Sequence, residues 1–195
     1  MSLFKTMTSI ICDEYDDAIE TLEEIIKSNG GVFQEVTNDY SSNDVGIVTG
    51  YNNHITIIYP KNFAFGEACT IALTKKIGTL GFMFHTNIDD LWMYVCYENG
   101  KEIDKFNPLF EYMDGDKKEI EQWKGNPELI SNKFDVDFID IKKYYHEEHM
   151  DFSEYKEMYL TENSLEDFMK TLNFNLPKQD KYIKKIIMSF PNINF

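Results

Sequence analysis

Three residues in the middle of the chain carry types that do chemistry together: His85, Asp89 and Asp104. A strand ending at His85 turns back through Asn87 to Asp90, beside a hairpin that carries Asp104. That path predicts a His with flanking carboxylates, which can act as a general base or hold a divalent ion. The expectation that follows is a small hydrolase or metal-dependent enzyme. A second candidate, His146-Glu147-Glu148-His149, places two His three residues apart with carboxylates between them. It fails as HExxH, which needs the second His a full turn on, and as HxxEH, because position 145 is Tyr. The expectation is therefore no metal, no cofactor and a polar helix face at that point. Acyl transfer, nucleotide hydrolysis and dinucleotide chemistry lose their usual supports, since the sequence holds no GxSxG, P-loop or GxGxxG arrangement.

Binding chemistry has clearer candidates. Asp13, Asp16, Asp17, Glu20, Glu23 and Glu24 fall on the side of a helical repeat away from its apolar stripe, giving a one-sided anionic ridge. A bland solvated face and a docking surface for a basic protein both fit; in the second, charge mainly raises the association rate. Trp92, Tyr94 and Tyr97, with Phe106, Phe110 and Tyr112, form either core or the lining of a small-ligand pocket. Lys178, Lys181, Lys184 and Lys185 are the one cationic cluster, suited to internal pairing or to a phosphate.

Composition narrows the partners. The formal net charge is -15 and all 19 basic residues are Lys, so the long-range field repels nucleic acid and anionic lipid, and no guanidinium fork is present. No apolar run approaches the roughly 20 residues that span a bilayer, and no secretory signal is visible at the start. Cys12, Cys69 and Cys96 lie far apart in apolar segments, the pattern of buried reduced thiols, and the expected compartment is the cytoplasm.

The elements that must position these residues follow from periodicity. Thr8 to Cys12 reads as a strand; Ala18, Ile19, Leu22, Ile25 and Ile26 read as a helix, with Asp17 and Glu20 at capping-box spacing and Gly30-Gly31 as its stop. Val32 to Thr37 reads as a strand, and the two runs around Asn52-Asn53 as a hairpin. A helix over 64–77 ends at Gly78, and Phe82 to Phe106 supplies three antiparallel strands. The last two are joined by Asn99-Gly100, the strongest short hairpin signal. A regular type I′ turn there pairs Cys96 with Ile103, Tyr94 with Lys105 and Met93 with Phe106, leaving Asp104 on the face opposite Trp92, Tyr94 and Cys96. After Pro108 the period becomes helical, with Asn126-Pro127 as N-cap and N1 and a final stripe of Ile183, Ile186, Ile187 and Phe190.

The fold class expected is α+β in a single domain, 1–195. A largely antiparallel sheet of about six strands with two helices fills 1–110, and helices fill 111–195. The stretch from Asp90 to Pro108, followed by Tyr112 and Trp123-Lys124-Gly125-Asn126-Pro127, resembles an uncharacterised group of bacterial cytoplasmic proteins. In that group an aromatic strand, an Asn-Gly turn and a D-x-F-N-P strand precede a W-x-G-N-P junction. The resemblance covers about the middle quarter and implies no activity; size, charge and class are also similar to immunity proteins that neutralise toxins. Taken together, the sequence points first to a non-enzymatic, intracellular protein-binding module of immunity or regulatory type.

Overall fold

Short β-branched runs and one glycine-led turn build the frame. The computed structural model describes residues 5–36, 43–51, 53–61, 63–86, 91–145, 153, 164–176 and 184–190. Eight strands form one sheet: β1 (Lys5–Ile11), β2 (Val32–Val36), β3 (Val45–Tyr51), β4 (His54–Ile58), β5 (Leu80–Thr86), β6 (Trp92–Glu98), β7 (Lys101–Phe106) and β8 (Lys184–Ser189). Their order is β2-β8-β3-β4-β1-β5-β6-β7, and every neighbouring pair runs antiparallel.

Helices cover both faces. On one face lie α1 (Tyr15–Ser28) and α2 (Gly66–Ile77), burying Ala18, Leu22, Ile26, Cys69 and Leu73 against Ile10, Ile55, Ile57 and Ile186. On the other lie α4 (Pro127–Phe134), α5 (Phe138–Lys142) and α6 (Ser164–Thr171), which bring Ile130, Ile141, Phe168 and Met169 against Phe82, Phe84, Trp92, Tyr94 and Phe106. A one-turn α3 (Lys117–Glu121) precedes them. The caps follow local chemistry: Asn126 accepts from the Leu129 amide at 2.9 Å with Pro127 behind it, and Gly78 closes α2 at φ 74°.

Several expectations need correction. Among the described residues the sheet has eight strands, and the C-terminal half returns to it: Lys184–Ser189 is strand β8, inserted between β2 and β3. A run of six residues is too short for periodicity to separate strand from helix; here Ile186 and Met188 are buried while Ile187 is not, a period of two. Ile183 lies outside the described residues. The first helix starts at Tyr15 after Glu14, with no side-chain cap, so Asp17 sits inside its first turn.

The hairpin at Asn99-Gly100 forms as read, with φ 52° and 78° and Glu98 opposite Lys101. Its register does not continue. Tyr97 pairs with Glu102 but Cys96 pairs with Asp104, so Ile103 is the extra residue of a bulge. One added residue turns everything beyond it over, and Asp104 joins the face of Tyr94 and Cys96.

Candidate functional site

The bulge creates a polar cluster where the sheet meets the C-terminal helices. Tyr94 is fully buried, and its hydroxyl donates to Asp104 Oδ2 at 2.5 Å. The Tyr145 hydroxyl lies 2.6 Å from that of Tyr94 and donates to it in turn, because the Tyr94 proton is already committed. The Asn126 amide donates to the same carboxylate oxygen at 3.2 Å. Strand β6 and the start of α4 thus meet on one carboxyl group of β7, and the residues just after α5 join them through the Tyr94 hydroxyl. Gly125, at φ 72°, makes this possible, since a Cβ there would stand 2.5 Å from the Tyr145 ring. Burial pushes the Asp104 carboxyl above the usual carboxylate range, and the Tyr94 and Asn126 hydrogen bonds only partly oppose it.

The sign of that shift has a measurable consequence. With its folded value raised, Asp104 keeps a proton that the unfolded chain has lost; its contribution to stability is greatest below the ordinary carboxylate pKa and fades as pH rises through the folded value. Asp104→Asn keeps the acceptor and removes the titration. Relative to wild type, the variant should gain stability as pH is raised from acid to neutral, measured by urea midpoints. A constant difference across pH would exclude burial as the cause.

Two histidines act in the opposite sense. His54 is 9% exposed, edge-on to Phe174 with ring centroids 4.8 Å apart, and its Nδ1 has no hydrogen-bond partner among the described residues. Burial lowers its pKa, as it does that of His85, so both rings are held neutral. A base depressed in the native state supports folding above its ordinary value, about 6.5, and loses that support as pH falls through the folded value. His54→Gln should therefore flatten the loss of stability below about pH 6.5; an unchanged acid limb would contradict the neutral, buried imidazole.

His85 and Asp104 do not converge. His85 Nδ1 lies 3.0 Å from Thr6 Oγ1 on the α2 side of the sheet, where Glu67 also acts on it, whereas Asp104 faces Tyr94 on the opposite side. Alternation along β5 puts His85 with Met83, away from Phe82 and Phe84. Glu67 itself accepts from the Tyr97 hydroxyl at 2.8 Å. Asp89, His146 and His149 lie outside the described residues, as do Lys178 and Lys181. Among the described residues no group of three His, Cys, Asp or Glu side chains is placed to hold a metal ion. The three thiols are buried, and burial pushes each of them up and away from the reactive thiolate.

Trp92 and Tyr94, for which core and a pocket lining both fit the sequence, are core. They are 2% and 0% exposed, and the Trp92 indole N–H donates to Ser164 Oγ at 3.0 Å. Lys184 is on β8 and pairs with Glu35 at 3.4 Å, not with the acidic ridge.

The ridge itself is well formed. Ala18, Ile19, Leu22 and Ile26 lock one side of α1 into the core, and Asp13, Asp16, Asp17, Glu20 and Glu24 are exposed. Glu24 pairs with Lys76 of α2, and Glu23 with Lys27 one turn on. Asp13 precedes the helix, while Asp16 and Asp17 lie in its first turn, where the helix dipole favours negative charge. An open depression of about 780 Å³ runs along Glu20, Glu23, Glu24, Ile25, Lys27 and Ser28.

Compared with protein families, curated proteins and solved structures, this chain matches nothing. Its function must therefore be read from its own residues. No helix among the described residues is long and apolar enough to cross a membrane.

Proposed function

We propose that this protein is a non-enzymatic module that docks a basic protein partner on the outer face of α1, in the manner of an immunity or regulatory factor. The observation that carries the reading is the division of α1: four apolar or small side chains fix one side in the core, and Asp13, Asp16, Asp17 and Glu20 stand exposed on the other. A helix so anchored holds its charges in fixed positions, and fixed charges steer an oppositely charged surface. The net charge of -15 adds to the same field. The depression beside Glu20 and Glu23 supplies relief for side chains of the partner.

The test is affinity capture from cell extract at low ionic strength, using wild type and a variant with Asp13→Asn, Asp16→Asn, Asp17→Asn and Glu20→Gln. A single basic protein retained by wild type and released by the variant is the expected result. Failure to retain any protein under low salt, where such association is strongest, would sink the reading.

A further inference from the structure

The two margins of the sheet are built differently. At one, β7 is bulged at Ile103 and carries Lys101 and Lys105, and the chain folds back over its end: Phe106 bridges to Lys124, and the Asn107 amide donates to the Trp123 carbonyl at 2.8 Å. Bulges, lysines and covering segments are how an edge strand is kept from pairing with another chain. At the other margin β2, Val32-Phe33-Gln34-Glu35-Val36, has no bulge, Pro or Lys. It pairs in unbroken register with β8 and is the last strand of the sheet among the described residues. Val32 is 39% exposed, and Gln34 and Glu35 are exposed beside it.

The two faces at this margin differ in chemistry. Toward α1 lie Phe33 and Glu35, and the Lys184 ammonium stands 3.4 Å from the Glu35 carboxylate and 5.8 Å from the centroid of the Tyr15 ring, so the start of the acidic helix adjoins the edge. The cation there, Lys184, is held by Glu35. On the opposite face Val32, Gln34 and Val36 lie beside Ser189, Ile187 and Lys185 of β8, with Val45 and Ile47 one strand further in; Ile187, Val45 and Ile47 are half-buried and belong to neither large core cluster. A strand added to β2 drops its side chains alternately on these two faces.

We propose that β2 is the edge on which the basic partner lays an extended segment, with Lys or Arg on the α1 side alternating with apolar residues on the Val32 and Val36 side. This rests on the docking role proposed above and names the form of the partner. Main-chain hydrogen bonds supply affinity and the alternation supplies specificity. A second copy of this chain fits less well, since each copy would bring a net charge of -15 to the contact.

The experiment titrates the full, isotope-labelled chain at low salt with acetyl-Lys-Val-Lys-Val-Lys-Val-Lys-Val-amide and with its block isomer, Lys-Lys-Lys-Lys-Val-Val-Val-Val. The alternating peptide should bind roughly tenfold more tightly and slow hydrogen exchange at the amides of β2, because only it presents both rows at once. The neutral pair Val32→Asn and Val36→Asn should remove that preference while leaving the charge attraction intact. Equal binding of both peptides, with shifts on α1 and no protection in β2, would overturn the edge and leave the α1 docking role standing. Binding of neither peptide also overturns it, and the capture experiment then decides the docking role separately. A dimer with protected β2 amides in the absence of peptide would assign the edge to a second copy.

Discussion

Trp92→Ala is expected to cost the protein about 3–5 kcal/mol of stability, as for other large aromatic truncations in cores. Trp92 stands where the sheet meets the C-terminal helices. Its ring centroid lies 4.8 Å from that of Phe168, 5.5 Å from Phe106 and 6.4 Å from Tyr144. Its N–H is the partner of the buried Ser164 hydroxyl at the start of α6. Removing the indole opens a cavity bounded by side chains from strands and helices, which cannot all move in to fill it, and orphans that hydroxyl. Trp92→Phe retains one ring but loses the hydrogen bond and part of the indole's volume, and should cost about 1–3 kcal/mol. Native domains are stable by only 5–15 kcal/mol, so the Ala variant should be visibly less stable in urea with an unchanged slope. A loss below about 1 kcal/mol would mean that the helices are not seated on this ring as described.

Neutralising α1 should act on rate instead. With Asp13, Asp16, Asp17 and Glu20 replaced by their amides, the association rate with the captured basic partner should fall about tenfold to a hundredfold at low salt, while the dissociation rate changes little. Exposed charges act at a distance through solvent, so the difference between wild type and variant should shrink as salt shortens the Debye length from about 10 Å at 0.1 M to about 3 Å at 1 M. Stability should hardly move, because these four carboxylates are exposed and surface charges contribute little to folding. A variant that associates as fast as wild type at every salt concentration would remove the steering role.

The parts of this fold that are local in sequence were legible, and those set by distant strands were not. Asn99-Gly100 dictates its hairpin because both residues must take positive φ, and the caps at Gly78 and Asn126 follow from the same kind of local need. The α1 stripe was readable because 14 residues allow several repeats of a helical period. In contrast, nothing between Val32 and Val45 announces that a strand from the far end of the chain will lie between them. The bulge at Ile103 was equally silent, since Lys101–Phe106 alternates plausibly in either register. That one residue decided the chemistry of the centre: it parted Asp104 from the side of His85 and gave it to Tyr94 and Tyr145. The aromatic residues were readable as a group, but only the helices laid over them show that Trp92 and Tyr94 are core.

The docking claim is tested most directly by mapping where the partner lands, through amide shift changes of the labelled protein on adding the captured partner. The docking reading predicts changes along Asp13 to Ser28, continuing onto Val32 to Val36, with the residues around Trp92, Asp104 and Tyr145 undisturbed. Changes centred on β6, β7 or α4 with α1 silent would contradict it.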